Sequence, residues 1–304
     1  MQPVATHVRF LLGDRPVFAA TRMLVPVAYG LNAILRDAPL VAAPLTDAAD
    51  GYRLQSAPIG RIAQLGRDFP GLIASQPQIY ARHYIDMATG HDGYLAQFSS
   101  KTRATLKRKM RKLADAGGGS LDIRSYHRPD QIDAFFAAAL PLSEQTYQAR
   151  LLNSGLPCND AFRAEAHRLA GSDNLRAYIL FLQGRAIAYL YLPVEDDVLI
   201  YAYLGYDQAS AHLSPGTVLQ MHALEQLFAE QRFRYFDFTE GDGAHKMLFG
   251  TDQVQCATVF LLKPTLANRA LLAGQHGFNT AVEGTGAWLD RIGAKAKIRK
   301  LLRG

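Results

Sequence analysis

The chain has 304 residues, 49% of them hydrophobic, which is long enough for two domains and can bury a substantial core without metals or disulfides. Its two cysteines, Cys158 and Cys256, are too few and too far apart for a disulfide framework or a four-ligand zinc site, which points to a reducing compartment. The net charge of +6 is concentrated: KTRATLKRKMRK (101–112) carries seven Lys or Arg, RIGAKAKIRKLLR (291–303) carries six, and neither holds an acid. The remainder is net acidic, with 20 basic against 27 acidic residues. Such patches suit phosphate-bearing ligands, anionic lipid or RNA, and equally a solvated helix face.

In chain order, the N-terminal run FLLG is cut off by Asp14, Arg15 and Pro16 before it reaches the length of a signal peptide. MLVPVAYGLNAIL (23–35), broken by Pro26, Gly30 and Asn32, is shorter than the roughly 20 residues of a membrane span. The expected location is therefore cytoplasmic. HVRFLL and RPVFAAT flank Gly13-Asp14 as a hairpin, and residues 36–77 are too rich in Pro, Ala and Asp to be assigned an element. Residues 93–116 read as one helix, with Phe98, Thr102, Leu106, Met110 and Leu113 recurring at three- and four-residue spacing. Gly117-Gly118-Gly119 ends it and marks a boundary.

Beyond the triplet, LDIRSY is a short strand, Pro129-Asp130 opens the helix DQIDAFFAAAL, and a second helix covers 160–170. RAYILFL, RAIAYLYLP and VLIYAYLGYD (198–207) form an antiparallel meander with short connections. A helix over 216–231 leads to the strand RYFDFTEG, and VQCATVFLLKP adds one more. Strand, helix and adjacent strand over 198–240 make a βαβ crossover, so the sheet is mixed and the fold class α/β.

Two stretches could carry chemistry. LSPGT (213–217) places Ser214, Gly216 and Thr217 at a helix N-terminus, where unpaired N–H groups favour an anion; Gly216 permits close backbone approach, and Pro215 is tolerated in the first turn. Taken alone it is a weak signal, and a well-capped helix start is the plainer reading. DFTEGDGAHKMLFG (237–250) leaves a strand and presents Asp237, Glu240, Asp242, His245 and Lys246 within ten residues, at the sheet edge where crevices form beside a crossover. A lysine there could hold a phosphate or a developing oxyanion, and a carboxylate could deprotonate an amine. The spacing of Asp, Glu and His matches no metal-ligand pattern, so no metal is expected. Gly-x-Ser-x-Gly and Gly-x-x-x-x-Gly-Lys-Ser/Thr are absent from the sequence, and His212 and His222 are read as bystanders.

Taken together, SSKTRATLKRKMRKL, YAYLGYD, LSPGT, FDFTEGDGAHK and MLFG resemble the GNAT-superfamily acyltransferases of the CelD/BcsL type, associated with cellulose or exopolysaccharide biosynthesis, which are relatives of the FemAB-type aminoacyltransferases. The likeness covers roughly residues 80–262. It implies a GNAT acyl-CoA N-acyltransferase fold, in which the strand 198–207 and the start of the helix cradle the donor's phosphates. The family's Gly-Asp/Glu-x-x-Tyr-Lys pattern falls on Gly241, Asp242, His245 and Lys246, with His245 in place of Tyr. The Lys-x-x-Phe-Gly sequence, whose lysine assists the transferred acyl carbonyl in FemAB-like proteins, falls on Lys246 to Gly250. The usual Gly-rich pyrophosphate loop of GNAT enzymes is replaced by LSPGT.

The expected organisation is a reduced N-terminal GNAT-like half (1–116) with helix 93–116 as a bridge, an acyltransferase domain (117–265) and a basic tail (266–304). The expected activity is transfer of an acyl group from acyl-CoA to an amine on a sugar, lipid-linked sugar or small metabolite. Ser214, Gly216 and Thr217 would bind pyrophosphate, Lys246 would stabilise the oxyanion, and Glu240 or Asp237 would act as base. Tyr201, Tyr203 and Asp207 share one strand face, which could line the acceptor cleft beside Asp242 and His245; the opposite face, with Tyr206, is the alternative. Two other readings stand: an aminoacyl-tRNA donor held by helix 101–112, and a non-catalytic scaffold anchored to the inner membrane through 288–303.

Overall fold

The structure, a computed structural model, describes residues 2–12, 15–145, 155–241 and 243–291. The chain forms two compact units, residues 1–80 with 255–304, and residues 81–254.

In the first unit β1 (Val4–Leu12) and β2 (Arg15–Ala28) form the expected antiparallel hairpin, with a register shift at Phe10/Leu11. A short helix α1 (Leu31–Leu35) follows, and β2 then pairs in parallel with β3 (Gly51–Pro58). Helix α2 (Leu65–Asp68) and β4 (Ile73–Ala74) come next, and the chain returns much later as β12 (Asp252–Leu262), antiparallel to β3 and β4. Val8, Leu24, Phe260, Leu262 and Leu271 make the core under helix α9 (Leu266–Arg291). β3 lies inside the stretch rich in Pro, Ala and Asp, and its alternation, with Tyr52 and Leu54 buried and Arg53 and Gln55 half-buried, is only four residues long. β12 and α9 complete the first unit, so its residues come from both ends of the chain.

The second unit holds β5 (Gln78–Asp86), α3 (Gly90–Ala96), α4 (Ser100–Ala116), β6 (Asp122–Tyr126), α5 (Ile132–Gln145), α6 (Asp160–Gly171), β7 (Leu175–Leu182) and β8 (Arg185–Glu195). It continues with β9 (Val198–Ile200), β10 (Tyr203–Tyr206), α7 (Pro215–Glu230), β11 (Tyr235–Asp237) and α8 (Ala244–Phe249). Its strands run β5-β11-β9-β8-β7-β6, with β10 also on β8. The sheet is mixed as expected: β9 and β11 are parallel neighbours joined through α7, and the meander is antiparallel. Alternate residues of β7 and β8 feed two cores. Tyr178, Leu180, Leu190 and Leu192 pack with α3, α4 and α7, while Ala177, Ile179, Tyr189 and Tyr191 pack with α5 and α6.

Two expected elements are each divided. Residues 93–116 are two helices because Ser99 leaves the helical region (ψ 154°) and its hydroxyl accepts the Thr102 N–H at 3.1 Å, capping α4. The buried stripe of Phe98, Leu106 and Leu113 is as expected. The strand 198–207 is also two strands. The Ala202 N–H bonds back to the Ile200 carbonyl at 2.8 Å, a three-residue turn centred on Tyr201. Leu199 faces Val194 and Tyr203 faces Tyr191, so this strand uses one residue more than β8 does over the same stretch.

Candidate active site

That extra residue shapes the site. β9 pairs with β11 only as far as Ile200 opposite Asp237, the Tyr201 N–H makes one last bond to the Asp237 carbonyl at 2.9 Å, and β10 then follows β8 alone. Parallel neighbours therefore part at Tyr201, and a cavity of about 310 Å³ opens there, lined by Tyr201, Leu204, Tyr206, Ser214, Gly216 and His245 among others. The bulge also resets the alternation. Tyr201, Leu204 and Tyr206 fall on the cavity side, whereas Tyr203 turns to the other core against Phe162 and Tyr191. The expected face of Tyr201, Tyr203 and Asp207 is thus corrected: only Tyr201 lines the cavity, and Tyr206 joins it from the face taken as the alternative.

Asp207 is a structural carboxylate. It is buried, and it accepts from the Ala209 N–H (3.0 Å), the Ser210 hydroxyl (3.1 Å) and Arg185 Nη2 (2.7 Å). Burial pushes its carboxyl up, but these three donors together outweigh burial and hold it below the usual carboxylate range. The turn it caps, Gln208–Leu213, delivers the chain to Ser214.

Ser214 is the residue before α7 and lies in the left-handed region (φ 56°, ψ 47°), and its side chain makes no capping bond. The first helical bond is from the Val218 N–H to the Ser214 carbonyl at 3.1 Å, and among the described residues nothing accepts from the N–H groups of Gly216 or Thr217. A well-capped helix start is thereby set aside: α7 begins with open donors and the positive end of its dipole at the cavity wall. A Cβ on Gly216 would sit 3.1 Å from Leu204 Cδ2 and 3.4 Å from Tyr206 Cδ1, so the missing side chain brings the helix start close against β10. The basic helix α4 stands nearby, with Lys112 Nζ donating to the His212 carbonyl at 3.0 Å.

The second stretch behaves differently. Asp237 is fully buried and takes a two-pronged bond from Arg82, with Nε at 3.0 Å from Oδ1, while Oδ1 also accepts from the Thr239 N–H at 2.8 Å. A carboxylate bonded in this way anchors the loop. Lys246 is not among the residues lining the cavity; its ammonium donates to the Glu240 carbonyl and closes the loop on itself. Glu240 is half-buried in the same loop, and Asp242 lies outside the described residues.

His245 reaches the cavity. Its ring packs against Phe249 (4.7 Å between centroids), Tyr201 and Phe238 (both 6.1 Å), and its Nε2 lies 2.6 Å from Gln220 Oε1. The residue is open to solvent on one side, yet burial of the ring against those neighbours, with Lys246 and Lys109 adding repulsion, pushes its pKa below the ordinary histidine value. Sequence reasoning missed Gln220 and the ion-pair partner Arg82. The signal for Gln220 was present as one amide among the apolar residues of TVLQMHALEQLF; Arg82, 155 positions before Asp237, had none.

Of the basic tail (266–304), residues 266–291 form α9 and 292–304 lie outside the described residues, and among those described no helix is long and apolar enough to cross a membrane. No curated protein sequence matches the chain. Residues 100–247 match the family model described as an acetyltransferase (GNAT) domain. Among solved structures, the C-terminal DUF2156 domain of a protein assigned as a lysylphosphatidylglycerol synthetase from Agrobacterium fabrum aligns at a TM-score of 0.51 and 12% identity, over 75% of this chain and 72% of that one. FemX aligns at 0.49 and 10% identity over 86% and 88% of the two chains. A GCN5-related N-acetyltransferase from Kribbella flavida aligns at 0.35 and 15% over 72% and 70%. The mixed α/β fold is consistent with the GNAT fold, and residues 100–247 are the stretch similar to its acetyltransferase domain.

Proposed function

We propose that the protein is an N-acyltransferase that moves an acyl group from an acyl-CoA thioester to an amine acceptor, a sugar amine of the exopolysaccharide type being the acceptor class suggested by the resemblance. The observation that carries this reading is the pair of open N–H donors of Gly216 and Thr217 on the wall of a cavity formed where β9 and β11 part. Two backbone donors at a helix start fit a pyrophosphate, and the aromatic wall of Tyr201 and Tyr206 fits the apolar arm that connects it to the thioester. Lys246 would act on the acyl carbonyl only after leaving the Glu240 carbonyl.

The test is a thermal-shift titration of the whole chain with CoA, acetyl-CoA and longer acyl-CoAs. Saturable stabilisation is expected, and it should disappear in Gly216→Asp, whose carboxylate would stand in the phosphate position. Stabilisation that survives this substitution would place the donor elsewhere.

One observation favours a second reading, aminoacyl-tRNA as donor. The seven cations of residues 101–112 lie on the helix whose Lys112 touches the turn before Ser214. RNA binding there would weaken steeply with salt. Binding that is flat between 50 and 200 mM salt, the range over which phosphate contacts weaken by about 10³ or more, would remove this reading.

A further inference from the structure

The cavity wall contains an imidazole whose two nitrogens are in different situations. Nε2 of His245 is taken by Gln220 Oε1 at 2.6 Å, while Nδ1 has no hydrogen-bond partner among the described residues. Gln220 is fully buried on α7, and its own amide nitrogen has no partner among the described residues. Turning the amide over would leave its oxygen without a partner instead. In the orientation present the amide oxygen faces the ring and only accepts, which places the proton on Nε2 and the lone pair on Nδ1. The ring cannot swing away easily, because Phe249, Phe238 and Tyr201 pack around it. The charged or titratable groups that face it are Lys246 on its own helix, Lys109 on α4 and Tyr201 from the β9–β10 turn. Both lysines disfavour an imidazolium, and burial raises the Tyr201 hydroxyl so that it stays neutral.

We infer that His245 is the general base of acyl transfer through Nδ1, and that Gln220 is the positioning residue that fixes its tautomer. The inference rests on the acyltransferase reading of the cavity. In the step it describes, the amine nitrogen attacks the thioester carbonyl carbon, a C–N bond forms, and the carbonyl π pair moves to oxygen. Nδ1 takes the proton from the attacking nitrogen. The oxyanion then re-forms the carbonyl, the C–S bond breaks with its electron pair on sulfur, and the thiolate takes the proton back from His245. The products are an amide and a free thiol, so the base is regenerated.

The experiment uses the full chain, acetyl-CoA as donor and glucosamine as acceptor, with thiol release followed across pH and acetyl-CoA affinity measured separately. His245→Gln should lower kcat by about 100-fold or more with the acetyl-CoA Kd unchanged. Gln220→Glu, which still accepts from Nε2 but favours the imidazolium, should move the acid limb of the wild-type profile to higher pH. Gln220→Leu should lower kcat about tenfold without that displacement. Nitrogen NMR of the wild-type protein, with His245 assigned through its Gln variant, should show the Nε2–H tautomer and keeps the inference testable if the buried substitutions fail to fold. An Nδ1–H tautomer, or full kcat in His245→Gln with acetyl-CoA bound, would overturn the base assignment alone. Failure of the wild type to bind acetyl-CoA would overturn both it and the acyltransferase reading.

Discussion

Two loops of the second unit, one after β10 and one after β11, use their polar groups in opposite ways. The loop after β11 is rich in acids and bases and many of them already have partners, Asp237 on Arg82 of β5 and on Thr239, and Lys246 on the Glu240 carbonyl. The start of α7 has little polar side chain to offer, yet its backbone donors are open and its serine does not cap them. Density of charged residues in a sequence is therefore a poor guide to which loop is poised for a ligand; what matters is which groups remain without a partner once the chain has folded.

The largest effect should come from breaking the self-satisfied loop. Asp237→Ala leaves Arg82 buried beside an empty carboxylate position and should cost about 3–5 kcal/mol in a urea melt. A loss under about 1 kcal/mol would mean that the loop does not depend on this pair.

The open loop should respond in the opposite sense. Thr217→Asp, at the half-buried cavity-wall residue beside Gly216, should weaken acyl-CoA binding by about 2 kcal/mol, roughly thirtyfold, while the urea midpoint of the free protein changes little. Equal loss of stability and binding would erase the contrast between the loops.

Asp207, which caps the turn leading into the open loop, should be intermediate. Asp207→Asn should cost about 1–3 kcal/mol at neutral pH through weakened bonds to Ala209, Ser210 and Arg185. Because its folded pKa is depressed, this contribution is fully present above the unfolded carboxylate value of about 3.9 and is lost as pH falls through the lower folded value. The stability difference between wild type and variant should therefore shrink in acid, and a pH-independent difference would show that the donors do not act on the charge.

The smallest effect is expected at Ser99. Ser99→Ala removes the cap that separates α3 from α4 and should cost about 1 kcal/mol, with acyl-CoA affinity unchanged. A changed affinity would tie the basic helix to the donor site.

Much of the second unit was legible because its signals are local. The period of Phe98, Leu106 and Leu113, the short turns of the meander, and the strand-helix-strand order over 198–240 each depend on residues near one another in the chain. The two interruptions were not legible. A serine cap inside a basic run resembles another exposed helical residue, and a one-residue bulge at Tyr201 leaves the apolar pattern intact while exchanging its faces.

By itself, then, the sequence determined most elements of the second unit, the mixed sheet and the two loops in which chemistry could reside, since propensity and periodicity act over a few residues. Only the tertiary structure decided that Tyr206 and not Tyr203 meets the cavity, that Asp237 belongs to Arg82 155 positions away, and that Gln220 on α7 meets His245. It also decided that β12 and α9 return to the first unit. These are pairings between distant segments, and hydrogen bonds between such segments are chosen by packing, on which local sequence carries no information.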